Sequence, residues 1–407
     1  MTTLRIAWRN LWRNPRRTAL ALAAIGLSVG LVLAYDAMLR AVGDWMVETI
    51  TGPLLGHVQV HAADWRKDRA MDRTLRRAGA LCDTIARDPD VGSVTARVYA
   101  PALAALSDEG FAVRVIGVDR ARETGAARLL APDAPAIEGK RVLMGRALAE
   151  TMNAHAGATI AIVGQGADGS LANDLYTVAG LIETPMDLVN RQGVIMALGE
   201  AQALFSMDDE AHEIVIHARD AARVDAVAAR LAALPILEGA DVLDWKRLQP
   251  EMVSMLGVVE MAWLLILVLV FVAAAAGVAN TMLMATFERT REFGMLLALG
   301  LRPTRIVAMI VAESVALGAV GAAAGAALGI ALVAATHDSG VDFATLTGQG
   351  TSAISAMGIR WSLRMYPSLA AVDLVGAVGA VVMTSMLASA WPALRVGRLQ
   401  PARALRS

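Results

Sequence analysis

The run His212-Glu213-Ile214-Val215-Ile216-His217 is the nearest this chain comes to a catalytic metal motif. A zinc-binding H-E-x-x-H needs its two histidines one helical turn apart on a single face. Here the second histidine is one residue too far along, and Ile-Val-Ile favours a strand, in which residues five apart point to opposite faces. The zinc reading is therefore rejected. His57 and His61 share a strand face with Gln59, but two histidines without a third ligand read as a solvated face, so no metal residue is assigned. No G-x-x-x-x-G-K-[ST] occurs, so the chain lacks a P-loop to cradle ATP phosphates. No serine-nucleophile elbow is expected either. Asp72, Asp83, Asp88 and Asp90 lie around an arginine-rich helical stretch and read as surface ion pairs. Cys82 is the only cysteine, which rules out an internal disulfide; it falls beside Leu75 and Ile85 and reads as a core thiol. No catalytic residue emerges, and the chain is expected not to be an enzyme.

What remains is charge set sharply against apolar runs. Of the 407 residues 56% are hydrophobic, the mean hydropathy is +0.51, and the net charge is −1. That is too apolar for an ordinary soluble domain, and near-neutrality gives no electrostatic reason to expect nucleic acid. Four charge-free runs fit membrane helices: Thr18–Tyr35, Met261–Phe287, Ser314–Thr336 and Leu374–Leu394. The longest spans about 40 Å as a helix, enough to cross a hydrocarbon core of roughly 30 Å with some tilt. It runs into Glu288-Arg289-Thr290-Arg291-Glu292, which must sit in water. A short apolar patch follows (Phe293, Met295, Leu296, Leu297, Leu299), bracketed by Gly294 and Gly300, and Pro303 starts the next helix.

Arginine placement gives an orientation. Residues 1–17, the loop 288–305 and the tail after 394 are all arginine-rich, and the first and last contain no acid. With four spans, all three segments fall on one side, so both termini are expected in the cytoplasm. Residues 3–17 place Leu4, Ala7, Trp8, Leu11 and Trp12 on one helical face opposite arginines, which predicts an interfacial helix that Pro15 ends. The fold class expected is an α-helical membrane protein with four transmembrane helices plus a large α+β extracytoplasmic domain between helices 1 and 2. The expected order is an interfacial helix at 1–17, membrane helices at 18–39, 255–287, 306–336 and 374–394, and the extracytoplasmic domain at 40–251. A cytoplasmic segment at 288–303, an outer connection at 337–373 and a cytoplasmic tail at 395–407 complete it.

Within 40–251, alternating runs predict strands at 54–61, 91–100, 111–118, 158–163, 176–182 and 213–217. Helical periods fall at 72–87, 145–155, 199–206 and 220–234. A β-rich insertion is expected at about 139–205. Inside the second span Asn280 reads as a buried amide that hydrogen-bonds across helices. Glu313, early in the third span, reads as needing a structural partner such as a cytoplasmic arginine.

These residues carry a resemblance. Asn280, Thr281 and Leu283, then Glu288, Arg289, Glu292, Gly294, Leu296, Ala298, Leu299 and Gly300, match N-T-x-L followed by E-R-x-x-E-x-G-x-L-x-A-L-G. That pattern is similar to the FtsX-like/MacB-like family of ABC transporter permeases. The opening A-W-R-N-L-x-R-N-x-R-R-T at residues 7–18 and the closing W-P-A-L-R-V-G-R-L-Q-P-A-R-A-L-R at 391–406 resemble the family's two ends. Residues 145–150, 176–180 and 200–204 resemble pieces of its outer domain. The stretch 181–197 looks most like the lipoprotein-releasing branch, although the hairpin at 164–175 lacks the proline of that branch's hook.

The resemblance implies a permease subunit that transmits ATP-driven motion to its outer domain, for lipoprotein release or export of lipophilic cargo. It implies that Glu288, Arg289, Arg291, Glu292, Phe293, Gly294, Leu296, Ala298, Leu299 and Gly300 form a coupling segment docking on a separate P-loop ABC ATPase. That partner would bind ATP and magnesium, with no cofactor in this chain. Gly318, Gly321, Gly325 and Gly329 form a small-residue stripe for close helix packing, within this chain or against a second permease chain. Membrane lipid and a periplasmic protein are the other partners expected, with no nucleic acid. The location implied is the bacterial inner membrane. The alternatives are a mechanical regulator of an envelope enzyme, or a membrane-anchored sensor or envelope enzyme unrelated to ABC transport.

Overall fold

The computed structural model describes residues 15–107, 109–125, 128–184, 186–342, 354–356, 359–361 and 364–397. The interfacial helix expected before residue 15, most of the outer connection and the end of the tail lie outside the described residues. The chain forms two compact units, one made chiefly of long helices and one built on a sheet.

Among the described residues, the helical unit contains four helices long and apolar enough to cross a membrane. They fall within Pro15–Ile50, Pro250–Glu288, Pro303–His337 and Ala371–Gly397. Each outruns its charge-free stretch because backbone hydrogen bonding continues into flanking polar residues. The first continues to Ile50 instead of ending near residue 39. Ile25, Val29, Leu33, Val278, Met282, Leu317, Ala322 and Val381 make its core. The glycine stripe lets backbones meet. A Cβ on Gly325 would lie 2.5 Å from the Gly26 carbonyl oxygen and 2.6 Å from Val29 Cβ. Gly321 faces Ile25, Gly329 faces Leu33, and Gly318 faces Ser385 of the fourth helix. The stripe is thus occupied within this chain.

The sheet unit holds β1 (Val58–Ala62), β2 (Leu75–Arg76), β3 (Val91–Leu106), β4 (Glu109–Val118), β5 (Arg141–Gly145), β6 (Thr159–Gln165), β7 (Leu171–Ile182), β8 (Gly193–Ala197), β9 (Glu210–Ala211), β10 (Glu213–Ala218) and β11 (Ala240–Asp244). Nine of them form one sheet, ordered β11-β1-β10-β3-β4-β8-β5-β7-β6, while β2 pairs with β9. The end of β3 also pairs with β6, Leu103 opposite Val163, so the strands from β3 round to β6 close on themselves. The expected insertion is therefore a barrel sharing its longest strand with the rest of the sheet. Val98, Val115, Met144, Ile160, Ile162, Tyr176, Val194 and Phe205 fill it.

Several local expectations change. Residues 51–55 form a π-turn, so β1 starts only at Val58. The helix expected at 72–87 is confined to Ala78–Ile85, since β2 takes Leu75 and Arg76. Strands β5, β8 and β11 were not expected. Their residues are mostly buried or half-buried on both faces, which removes the alternation that marks a half-exposed strand.

Candidate functional site

The charge cluster after the second long helix folds as a surface helix, Thr290–Ala298, with its own start and stop. It stops in a Schellman motif. Gly300 adopts φ +88°, its N–H donates to Leu297 O (3.0 Å), and Leu301 N–H donates to Leu296 O (3.0 Å). Leu296 and Leu301 meet the same apolar cluster, and Pro303 begins the third long helix. The letters A-L-G-L-R-P thus encode a tight return of the chain.

One face of this helix is seated. Phe293 is 1% exposed and packs with Ile306, Met309, Ile310 and Ala393. Gly294 is buried beside it. Arg289 leans back into the corner: its Nη1 donates to both carboxylate oxygens of Glu313 (2.9 and 3.0 Å), its Nε donates to Glu292 (3.2 Å), and its guanidinium lies 5.0 Å from the Phe293 ring centre. Glu313 thereby has the arginine that its place in an apolar helix demands.

The ten residues expected to dock on a partner therefore divide. Phe293 and Gly294 are buried; Arg289, Glu292 and Leu296 are half-buried; Glu288, Arg291, Ala298, Leu299 and Gly300 are exposed. Substituting Gly294 by tryptophan would damage the seat and not merely the outer surface. Met295, half-exposed between Arg291 and Leu299, was missed, although its i+4 spacing from Arg291 marks the same face. Gly26 and Gly30, opposite the stripe, were also missed; their small-xxx-small spacing was the available signal.

Asn280 corrects the expectation of a buried cross-helix amide. It is exposed, lining a groove with Leu20, Ala24, Ser28, Gly277 and Thr281. Gly26-Leu27-Ser28-Val29-Gly30 fits the letters G-x-S-x-G, which the sequence reading passed over. It lies inside a helix, where Ser28 Oγ donates to Ala24 O (2.8 Å), and not on a strand-to-helix elbow.

In the sheet unit the polar residues are buried far more deeply than expected. His61 is not on a solvated face but wholly buried, stacked on Trp65 at 5.0 Å, with His212 at 5.5 Å from the same ring. Burial pushes His61 down to about 3 and His217 down to about 4, so both are neutral at pH 7. Arg97 and Glu123 form an ion pair of 2.7 Å with side chains 0% and 2% exposed. Tyr99 donates to Glu213 (3.3 Å), whose carboxyl is pushed up to about 7 by burial. Cys82 is a buried thiol, pushed up to about 12 by burial. Among the described residues no three of His, Cys, Asp or Glu gather as a metal site. Asp83 pairs with Arg122, and Asp88 and Asp90 pair with Arg230, as surface ion pairs.

Comparison with known proteins follows this division. Residues 18–234 match the MacB-like periplasmic core domain, and residues 264–401 match the FtsX-like permease C-terminal family. A pyoverdine export ATP-binding/permease protein of Pseudomonas fluorescens Pf0-1 is 31% identical over 131 residues, which cover 32% of this chain and 16% of that protein. Its counterpart in strain Pf-5 is 25% identical over all of this chain and 59% of its own length. A lipoprotein-releasing system transmembrane protein of Neisseria meningitidis is 22% identical over 65% of this chain and 64% of its own length. The chain thus spans less than two thirds of each of these relatives. With four long apolar helices and a periplasmic-type domain between the first two, it is a membrane protein carrying a large extracytoplasmic domain.

Proposed function

From the premise that this chain belongs to the FtsX-like/MacB-like family of ABC transporter permeases, we propose that it is the membrane subunit through which a separate P-loop ATPase drives its outer domain. The seated surface helix is the observation that carries this reading. Its inner face is fixed by Phe293 and by the Arg289–Glu313 pair, while Arg291, Met295 and Leu299 point away, Leu299 being 81% exposed. A lever needs that arrangement: a rigid inner attachment and an outer face left open to a partner. ATP and magnesium would be bound by the partner. The outer domain would lie on the periplasmic side of the bacterial inner membrane, with both termini in the cytoplasm.

Lipoprotein release or export of lipophilic cargo is the work that fits best, with the lipoprotein-releasing and export relatives as support. A second permease chain would complete the complex, since four helices are few to enclose a path. Membrane lipid and a periplasmic acceptor protein are the remaining partners proposed.

The test is purification of the tagged chain in mild detergent with identification of what accompanies it. A stoichiometric P-loop ATPase is expected. Met295→Asp with Leu299→Asp should weaken that association by about tenfold or more, since both sit at the centre of the open face. Membrane insertion and the unfolding midpoint should stay unchanged. Full ATPase recovery with this double variant would count against the docking assignment.

A further inference from the structure

The π-turn Thr51–Leu55 joins the first long helix to β1, and it breaks helical geometry at Gly52 (φ −54°, ψ −147°). The last carbonyls of a helix have no helical partners, and in a linker built to swivel they would face water. Here they face buried side chains of the sheet unit. His217 Nε2 donates to Thr51 O (2.9 Å) and Gly52 O (3.2 Å). Arg97 Nη1 donates to Leu54 O (3.3 Å), and Gln59 Nε2 donates to Leu55 O (2.8 Å). The three donors come from β10, β3 and β1 and are 4%, 0% and 3% exposed. Two of them are themselves held: Arg97 by Glu123, and Gln59 Oε1 by His61 Nε2 (2.9 Å).

The next residues tighten the joint. Gly56 takes φ +66°, and a Cβ there would collide with the Val215 side chain. His57 then bonds three ways. Its N–H donates to Ile216 O (2.8 Å), its Nδ1 accepts from Ala218 N–H (3.0 Å), and its carbonyl accepts from Trp245 N–H (3.0 Å). Trp245 opens the short helix directly before Pro250, where the second long helix starts. The strap entering the sheet and the strap leaving it are therefore bonded to each other and to β10 at one residue.

We propose that Gln59, Arg97 and His217 are positioning residues that clamp the end of the first long helix, from Met46 on, and its π-turn to the sheet, so that this end and the sheet move together. This rests on the transporter reading above, because it assigns the clamp a part in passing motion outward. It also absorbs His217, which the failed zinc motif left without a role. The physical basis is the count of fixed partners. Carbonyls at four of the five π-turn residues accept from buried donors that cannot turn to water, so rotation at the joint would strand them.

The test uses the full chain with its copurifying ATPase in nanodiscs and two spin-label pairs, Arg305 with Glu48 and Arg305 with Arg219, all exposed positions. In the wild type, ATP should change both distances. In His217→Leu the Glu48 distance should still change while the Arg219 change falls to less than half. His217→Gln, which keeps an N–H donor, should restore it. An Arg219 change of wild-type size in His217→Leu overturns the clamp. No ATP-dependent change at Glu48 in the wild type overturns the transporter reading itself, and the clamp's role with it. Should His217→Leu not fold, hydrogen exchange on the wild type decides: the His57 and Trp245 amides should exchange as slowly as those of Val215 and Ile216. Exchange within the first seconds would overturn the proposal.

Discussion

Arg97–Glu123 in the sheet unit and Arg289–Glu313 in the helical unit are both arginine–carboxylate pairs, yet they are built to different ends. Glu123 spends its second oxygen on Leu129 N–H (3.0 Å), and Arg97 also donates to Leu54 O. Those side chains are sealed from water. Arg289 is 15% exposed and divides its donors between Glu313 and Glu292, which is itself 40% exposed. The first pair is locked on every side. The second has a built-in alternative, since losing Glu313 leaves Arg289 a carboxylate within reach. A fully satisfied network fixes one geometry, whereas a shared cation at a helix corner allows two.

The comparison breaks if removing Arg97 proves mild. Arg97→Met leaves Glu123 as a buried charge without its cation, which costs about 3–5 kcal/mol. Urea unfolding of the full chain, followed by far-ultraviolet circular dichroism, should show that loss in the sheet unit. Arg97→Met with Glu123→Met should recover most of it, because an apolar pair of similar volume is close to neutral. A single-variant cost near that of an exposed pair, roughly 0–1 kcal/mol, would mean that the sealed and shared pairs do not differ in kind.

Glu213 sharpens the same contrast through pH. It stands opposite Arg97 on β3 and His61 on β1, and accepts from Tyr99. Burial raises its carboxyl from 4.5 to about 7, so the folded state holds this proton more tightly than the unfolded one. The stabilisation is fully present below pH 4.5 and is lost as pH rises to about 7, at a cost of roughly 3 kcal/mol. His61 and His217 act in the opposite sense: their lowered values withdraw stability as pH falls below 6.5. Glu213→Gln isolates the first effect. The stability difference between variant and wild type should grow from pH 4.5 to 7 and then level off; a flat difference would refute it.

How far these sites were legible follows from sequence distance. The surface helix could be read because its cap, its apolar patch and its charges lie within one short run, and Glu313 asked for an arginine simply by being a carboxylate in an apolar helix. The glycine stripe was visible, but not that Gly26 and Gly30 would fill it, since spacing shows a face and never its partner. The sheet-unit network could not be read. Arg97 and Glu123 meet only because β3 and the loop after β4 pack together, and Gln59 and His61 looked solvent-facing until strands on both sides buried them. Strand alternation shows which residues share a face, not whether that face is wet.

The smallest expected effect on stability belongs to Glu313→Gln, and it bears most directly on function. The amide oxygen still accepts from Arg289, and Arg289 still reaches Glu292, so unfolding should cost only about 1 kcal/mol. What changes is the balance between the two carboxylates, which now favours Glu292 on the surface helix over the third long helix. If the shared arginine is the attachment through which the surface helix pushes, ATPase turnover in the complex should persist while its coupling to transport falls severalfold. Glu292→Gln should leave the attachment to Glu313 intact and spare that coupling. Equal losses in the two variants would show that the carboxylates act only as surface charge for the partner. Coupled transport assays on both, with the ATPase held at the same stoichiometry, separate a lever from a docking patch.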